Sequence, residues 1–216
     1  KKNDVEADRQ YAQAWERMPR SELAIRRAEV GLRTDKKEAA VEPLLSWLGD
    51  HPGDVRVRRF LATTYYNIGR DKQAIAEYLK VLAVNPDDVA ALNNLATLLS
   101  EQEGTRGDAL QYVDRAIKIA GPAAPLLDTK GMILVQSGKA NEAIQWLEEA
   151  ASSRNADPRF HVHLAIGYDR TEDRRKARDA LVRAYEGGLR GRILTGSDLA
   201  FLSQMEEEYP GLQDQE

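Results

Sequence analysis

Residues 64–88 read TYYNIGRDKQAIAEYLKVLAVNPDD, and residues 133–157 read ILVQSGKANEAIQWLEEAASSRNAD. Both stretches break at a small residue, resume with bulky apolar residues at helical spacing, and break again. Working outward, Pro19, Pro52 and Pro86 lie 33 and 34 residues apart. The small residues Ala28, Ala62, Ala96, Gly131 and Ala165 are separated by 34, 34, 35 and 34. A second series, Ala7, Ala40, Ala74, Ala109, Ala143 and Ala177, runs at 33, 34, 35, 34 and 34. Two series kept in step along the chain mark an internal repeat.

Within a repeat the apolar residues form two helical blocks. Val57, Leu61, Ala62 and Tyr65 make the first and stop at Gly69; Ala74, Tyr78, Val81 and Leu82 make the second and stop at Pro86. Asp54, Asp71, Asp108, Asn141 and Asp157 stand where helix caps are expected, and Asp108 with Gln111 has the spacing of a capping box. Each repeat therefore reads as a helix, a tight turn and an antiparallel helix, which makes the fold class all-α.

The pattern resembles the tetratricopeptide repeat (TPR) over nearly the whole chain. Ala62, Tyr65, Ala74, Tyr78, Val81 and Pro86 fill that family's signature positions 8, 11, 20, 24, 27 and 32. Ala96, Leu99, Ala109, Val113 and Ala116 follow, then Gly131, Leu134, Ala143, Leu147 and Ala150, then Ala165, Tyr168, Ala177, Leu181 and Ala184. The resemblance implies a right-handed superhelix, an α-solenoid of helix pairs, with repeats at 21–54, 55–88, 89–123, 124–157 and 158–191. The first repeat is degenerate, with Gly31 at the aromatic position and Arg27 at an apolar one. Residues 1–20 match only the second helix of a preceding repeat, as if cut from a longer array. Residues 192–216 read as a capping helix, from about Ser197 to Tyr209, and an acidic tail. Trp15, Trp47 and Trp146 fall at or near core positions of second helices.

Composition narrows function. The 216 residues carry a net charge of −4, which gives no reason to expect nucleic acid as a partner. There is no cysteine, hence no thiolate chemistry. No apolar run approaches the ~20 residues of a membrane span, so direct membrane insertion by this segment is not expected. His161 and His163 point about 200° apart around a helix and cannot share a metal; no metal and no cofactor are expected. The loop GTRGDA at 104–109 follows no strand, LLDTKG and TGSDLA place hydroxyls beside aspartate without a histidine base, and no catalytic group stands out. The chain reads as a non-enzyme.

In the TPR family the first helix of each repeat lines a concave wall. The resemblance places Arg56, Arg59, Phe60, Thr63, Tyr66 and Asn67, then Asn93, Asn94 and Thr97, then Asp128, and finally His163 and Arg170 along it. Arg56, Arg59, Asn93 and Asn94 would lie close across two repeats, where amides grip an extended backbone and arginine holds a carboxylate. Asp128 and His163 would face each other as an ion pair or pH-sensitive contact. The family's carboxylate clamp is disfavoured, because Pro125 and Thr129 replace its cations. Its asparagine ladder is broken by Arg26, Phe60, Thr129 and His163.

The succession ALNNLATLL, ALQYVDRAIKIA, LLDTKGMILVQSGKANEAIQWLEEA and FHVHLAIGYDRTEDRRKARDALVRA is similar to the C-terminal region of bacterial TPR lipoproteins that accompany PEP-CTERM/exosortase and exopolysaccharide export systems. That resemblance covers about residues 55–190 and implies an envelope or periplasmic setting, with a cytoplasmic one as the alternative. The expected function is a scaffold whose concave groove binds another protein or peptide. The alternatives are the recognition arm of a larger enzyme such as a glycosyltransferase, a solenoid that self-associates through its N-terminal edge, and a carbohydrate binder that stacks sugar on Tyr66 and Phe60.

Overall fold

A computed structural model describes residues 2–33, 37–152, 155–192 and 194–209. These residues form α-helices and short 3₁₀ turns, with no strand among them. The chain divides into two compact units, Lys1–Leu98 and Leu99–Glu216. The N-terminal unit holds α1 (Lys2–Arg17), α2 (Ser21–Arg33), α3 (Glu42–Asp50), α4 (Val55–Asn67), α5 (Asp71–Val84) and most of α6 (Val89–Ser100). The C-terminal unit holds α7 (Arg106–Ala120), α8 (Ala124–Gln136), α9 (Ala140–Ala151), α10 (Pro158–Arg170), α11 (Arg174–Glu186) and α12 (Gly196–Glu208). Residues 210–216, most of the expected acidic tail, lie outside the described residues.

Small residues let paired helices approach. Ala62 and Ala74 in α4 and α5, Ala143 in α9, and Ala165 and Ala177 in α10 and α11 are all fully buried. Large residues then fill the space around those contacts: Leu61, Tyr78 and Val81 in the first unit, and Leu147, Val162, Leu181 and Met205 in the second. Burying each such side chain contributes roughly 1.5–3 kcal/mol.

Three hairpins turn by the same device. At the end of α4, Arg70 N–H donates to the Tyr65 carbonyl (2.8 Å) across Gly69, whose φ is +73°. At the end of α8, Lys139 N–H donates to Leu134 (2.9 Å) across Gly138 at φ +75°. At the end of α10, Asp173 N–H donates to Tyr168 (2.9 Å), but the residue in the left-handed position is Glu172 at φ 62°. A side chain there is strained where glycine is not. Glu172 is exposed, so Glu172→Gly loses little contact and should raise stability by about 0.5–1 kcal/mol in urea unfolding.

The caps follow from these turns and depart from the sequence reading. Asp54 accepts from Val57 N–H (3.0 Å) and Asp157 from Arg159 N–H (3.0 Å), as expected. Asp71 and Asn141 are not caps. The glycine turn leads straight into the next helix, so Arg70 and Lys139 occupy the cap positions without side-chain bonds. Asp108 sits inside the first turn of α7, which begins at Arg106, so no box forms with Gln111. The capping box is at α12, where the Thr195 hydroxyl accepts from Asp198 N–H (3.2 Å) and Asp198 accepts from Thr195 N–H (3.0 Å).

The degenerate first repeat also differs. Its second half is a 3₁₀ turn, Lys37–Ala40, followed by the short α3. Pro43 lacks an N–H and restarts the helix at its first turn. Gly31 is needed because a Cβ there would lie 2.9 Å from the Ala40 backbone. The tryptophans are half-buried, and Trp146 packs against the C-terminal core cluster. Trp15 meets Trp47 edge-on at 6.1 Å, Trp47 stacks on His51 at 3.7 Å and donates to Asp54 (2.8 Å), and Trp146 lies under the Lys130 ammonium at 4.0 Å. Trp47 and Trp146 thus have polar or charged company beside their packing contacts.

Candidate functional site

In the N-terminal unit α2, α4 and α6 enclose a groove of about 350 Å³, lined by Ile25, Glu29, Arg56, Arg59, Phe60, Thr63, Ala90 and Asn94. It gathers five residues expected from the sequence: Arg56, Arg59, Phe60, Thr63 and Asn94. The repeat period explains this. Residues at positions 2, 5, 6 and 9 of α4 face those at 2 and 6 of α6, 34 residues on.

The groove's polar groups are held in place by its own chain. Tyr78 is fully buried beneath it. Its hydroxyl accepts from Asn94 Nδ2 (2.9 Å) and meets Thr63 Oγ1 at 2.9 Å; Thr63 Oγ1 in turn donates to the Arg59 carbonyl (3.1 Å). Read as one directed chain, protons point from Asn94 through Tyr78 and Thr63 to the α4 backbone. Burial raises the Tyr78 pKa against the opposing hydrogen bonds of Thr63 and Asn94, so the phenol keeps its proton. Arg59 Nη1 is bound by both oxygens of Asp88 (3.0 and 2.8 Å). Asp88 is itself buried and also accepts from Ala91 N–H (3.0 Å) at the start of α6. Asp88 takes one guanidinium nitrogen and leaves the rest of the fork toward the groove.

Arg56 is different. It pairs with Glu22 at 3.0 Å, with both side chains 61% exposed. An exposed pair of this kind is worth little and is readily exchanged. Glu29 is paired with Arg26 at 2.8 Å. Arginine and acid therefore balance around the groove, and Arg56 is the arginine that a partner's carboxylate could most easily recruit.

Other expected residues lie elsewhere. Tyr66 is half-buried and Asn67 exposed at the end of α4, away from the groove lining. Asn93 is one residue off the groove on α6; its Oδ1 is enclosed without a hydrogen-bond partner. Thr97 Oγ1 donates to the Asn93 carbonyl (3.1 Å). Arg170 is exposed at the end of α10 in the C-terminal unit. Ala90, which the repeat register also places on the expected wall at position 2 of its repeat, lines the groove; Ile25, Glu29, Tyr78 and Asp88 were missed as contributors. Ile25 is an ordinary apolar residue by type, and only the repeat register of α2 could have found it.

Asp128 and His163 do meet, in the C-terminal unit, and a third group joins them. His163 Nδ1 is 2.8 Å from both oxygens of Asp128, and its Nε2 is 3.5 Å from Asp198. Both aspartates are buried. Burial alone would push the imidazole pKa down, but the charge and hydrogen bond of Asp128, reinforced by Asp198, raise it to about 10. Burial works against Asp198 too, yet the hydrogen bond and charge of His163 lower its pKa below the ordinary value. His163 is thus a cation between two carboxylates. It joins α8, α10 and the start of α12.

Helix pairs at this period define an α-helical repeat scaffold, and the comparisons with known proteins agree. Tetratricopeptide-repeat family models match residues 77–109 and 124–157, and a bacterial transcriptional activator domain model matches residues 3–90. Residues 77–109 and 124–157 thus carry tetratricopeptide repeats, in a chain with the fold of a TPR solenoid. A RANBP2-like and GRIP domain-containing protein of Homo sapiens is 24% identical over 151 residues, 69% of this chain and 8% of that protein. A TPR repeat-containing protein of Pseudomonas aeruginosa is 26% identical over 147 residues, 66% of this chain and 24% of that protein. The chain thus spans a small part of these curated relatives.

Among solved structures, a tetratricopeptide repeat protein of Parabacteroides merdae superposes with a TM-score of 0.76 at 17% identity, covering 97% of this chain and 84% of that one. A thermophilic TPR protein of Thermus thermophilus gives 0.68 at 20% identity, covering 78% and 92%. YrrB, described as a TPR protein with an unusual peptide-binding site, gives 0.58 at 18% identity, covering 82% and 92%. At these identities the likeness is one of fold.

Proposed function

We propose that the chain is a non-catalytic scaffold that binds a segment of another protein in the groove of α2, α4 and α6. One observation carries this reading: the groove's polar side chains are braced from behind by buried Tyr78 and Asp88, while Arg56 and Phe60 line its open side. Groups held in position before binding lose little freedom when a partner arrives. The occupant this suits is an extended segment that offers an apolar side chain to Ile25 and Phe60, backbone amides to Asn94, and a carboxylate to Arg56. YrrB, a protein of like fold described as having a peptide-binding site, supports peptide recognition as a use of this fold.

The setting we propose is the bacterial envelope, on the strength of the phrase-level resemblance over about residues 55–190; fractionating the source cells with an antibody to the chain tests it.

The groove is tested by a pull-down from envelope and soluble fractions with wild type and an Arg56→Ala/Phe60→Ala variant, after circular dichroism shows both folded. Arg59 and Asn94 are left intact because removing them would take a partner from buried Asp88 and Tyr78. The expected result is a partner held by wild type and reduced about tenfold or more in the variant, the loss of one or two anchors. Equal recovery by both would move the site away from this groove. Recovery of the chain itself would point to self-association.

A further inference from the structure

Each of the two small-residue series of the repeat has one member that the fold leaves uncovered. Ala7 opens one series, with Tyr11 four residues on. The five later alanines of that series, Ala40, Ala74, Ala109, Ala143 and Ala177, are fully buried, and so are the residues four places after them, Leu44, Tyr78, Val113, Leu147 and Leu181. Ala7 and Tyr11 are only half-buried. α5, α9 and α11 are each packed against the helix before them, whereas among the described residues no helix stands before α1. The other series, Ala28, Ala62, Ala96, Gly131 and Ala165, is continued in α12 by Ala200, 35 residues after Ala165. Those five are buried, as are Leu61, Leu95 and Leu164 one place before three of them. Ala200 is exposed, and Leu199 before it is 55% exposed. The other side of α12 is satisfied, with Leu202 and Met205 buried in the C-terminal cluster. Among the described residues no helix follows α12 to cover the rest.

We propose that α12 of one copy covers α1 of another, so that the two helices complete a repeat between molecules and join copies head to tail. The chain's own helix pairs choose the occupant. Between α8 and α9 the small Gly131 lies over Leu147, so closely that a Cβ would come within 2.5 Å of Leu147 Cγ. Gly131 belongs to the series of Ala200, and Leu147 stands where Tyr11 does. The same packing sets Tyr11 of one copy against Ala200 of another and takes the exposed surface of Leu199 out of water. Each face is the half that the other lacks, so the contact is heterologous, and a copy bound at one end keeps its other end open. A solenoid end that stays single presents a polar face, and α12 presents a leucine and an alanine there instead. None of these residues lines the groove of α2, α4 and α6.

The test is sedimentation velocity of the full chain at rising concentration. One helix pair is a small interface, so association should be weak, with a dissociation constant on the order of 100 μM. Ala7→Glu blocks the α1 face and Ala200→Glu the α12 face, and circular dichroism checks that both chains are folded. Tyr11→Ala, which removes bulk without adding charge, is a second α1 variant, and Leu199→Ser, at an exposed side chain, a second α12 variant. Each variant alone should associate about tenfold more weakly than wild type or not at all. Ala7→Glu and Ala200→Glu mixed together should form a one-to-one pair that grows no further, because each keeps the face the other lost. A wild type that is monomeric at about ten times the expected dissociation constant would overturn the proposal and leave the two end faces to helices of another protein. Undiminished association of Ala200→Glu and Leu199→Ser would overturn it in favour of contact between two α1 helices. A mixture that stays monomeric would overturn it too. Arg56→Ala/Phe60→Ala should associate as wild type does; loss there would place the self-contact in the N-terminal groove and overturn the proposal as well.

Discussion

Replacing His163 with alanine should destabilise the C-terminal unit by about 3–5 kcal/mol, because it leaves Asp128 and Asp198 buried without their shared cation. Both carboxylates depend on it: Asp128 lies 2.8 Å from one ring nitrogen and Asp198 3.5 Å from the other. Arg159 stands near enough to feel both acids but is bound to Asp157 at 2.8 Å, so it cannot take the place of the lost imidazolium. The effect has a pH signature. The folded pKa of His163 is raised from 6.5 to about 10. Its contribution is therefore complete below about pH 6.5 and is lost as pH rises toward 10. Asp198, with a lowered pKa, contributes above its ordinary value and loses that contribution as pH falls through its folded pKa. Urea unfolding of wild type should show stability falling between pH 7 and 10, and the His163→Ala chain should lack that fall. Parallel pH profiles would show that the pair contributes nothing.

Gly131→Ala should cost about 2 kcal/mol, within the range for overpacking a core. A Cβ at Gly131 would lie 2.5 Å from Leu147 Cγ and 2.6 Å from its Cδ2. Leu147 is fully buried at the centre of the C-terminal cluster, and Gly167 confines its other methyl, where a Cβ would lie 2.9 Å from Cδ1. It has no room to swing away, so α8 and α9 must separate. Gly107→Ala is the control. Nothing lies within 4 Å of a Cβ there, in the first turn of α7, and alanine should stabilise by about 0.5 kcal/mol. Equilibrium unfolding reads both. In the double variant Gly131→Ala/Leu147→Ala the costs should not add, because the second change makes the room the first one needs. Additive costs would mean that the two side chains do not compete for space.

The helical hairpins were legible because their determinants are local. Small residues at Ala62, Ala74, Ala143 and Ala177, with Tyr78, Leu147 and Leu181 between them, repeat every 33 to 35 residues, and each sits in the core. Part of the groove was legible for the same reason: Arg56, Arg59, Phe60, Thr63 and Asn94 follow from register alone. What was hidden depends on chemistry between distant residues. Asp88 looked like the end of a repeat, yet it caps α6 and braces Arg59. Asp198 was legible as part of a helix start in TGSDLA, which the α12 capping box bears out, but not its burial against His163. The misplaced caps at Asp71 and Asn141 show how a glycine turn overrides a good capping residue one or two positions later. The tryptophans stand near core positions, as their spacing suggests, but the hydrogen bond of Trp47 and the Lys130 ammonium over Trp146 could not be read from it.

The central claim is that a partner's segment lies along α2, α4 and α6. It is tested most directly by photo-crosslinking with p-benzoylphenylalanine at position 60 in the groove and, in a second chain, at position 79 on α5, where Leu79 is 45% exposed. In extracts of the source cells, the claim predicts a discrete adduct from position 60 that is absent from position 79 and suppressed by Arg56→Ala. The same adducts from both positions, or none from position 60, would contradict it.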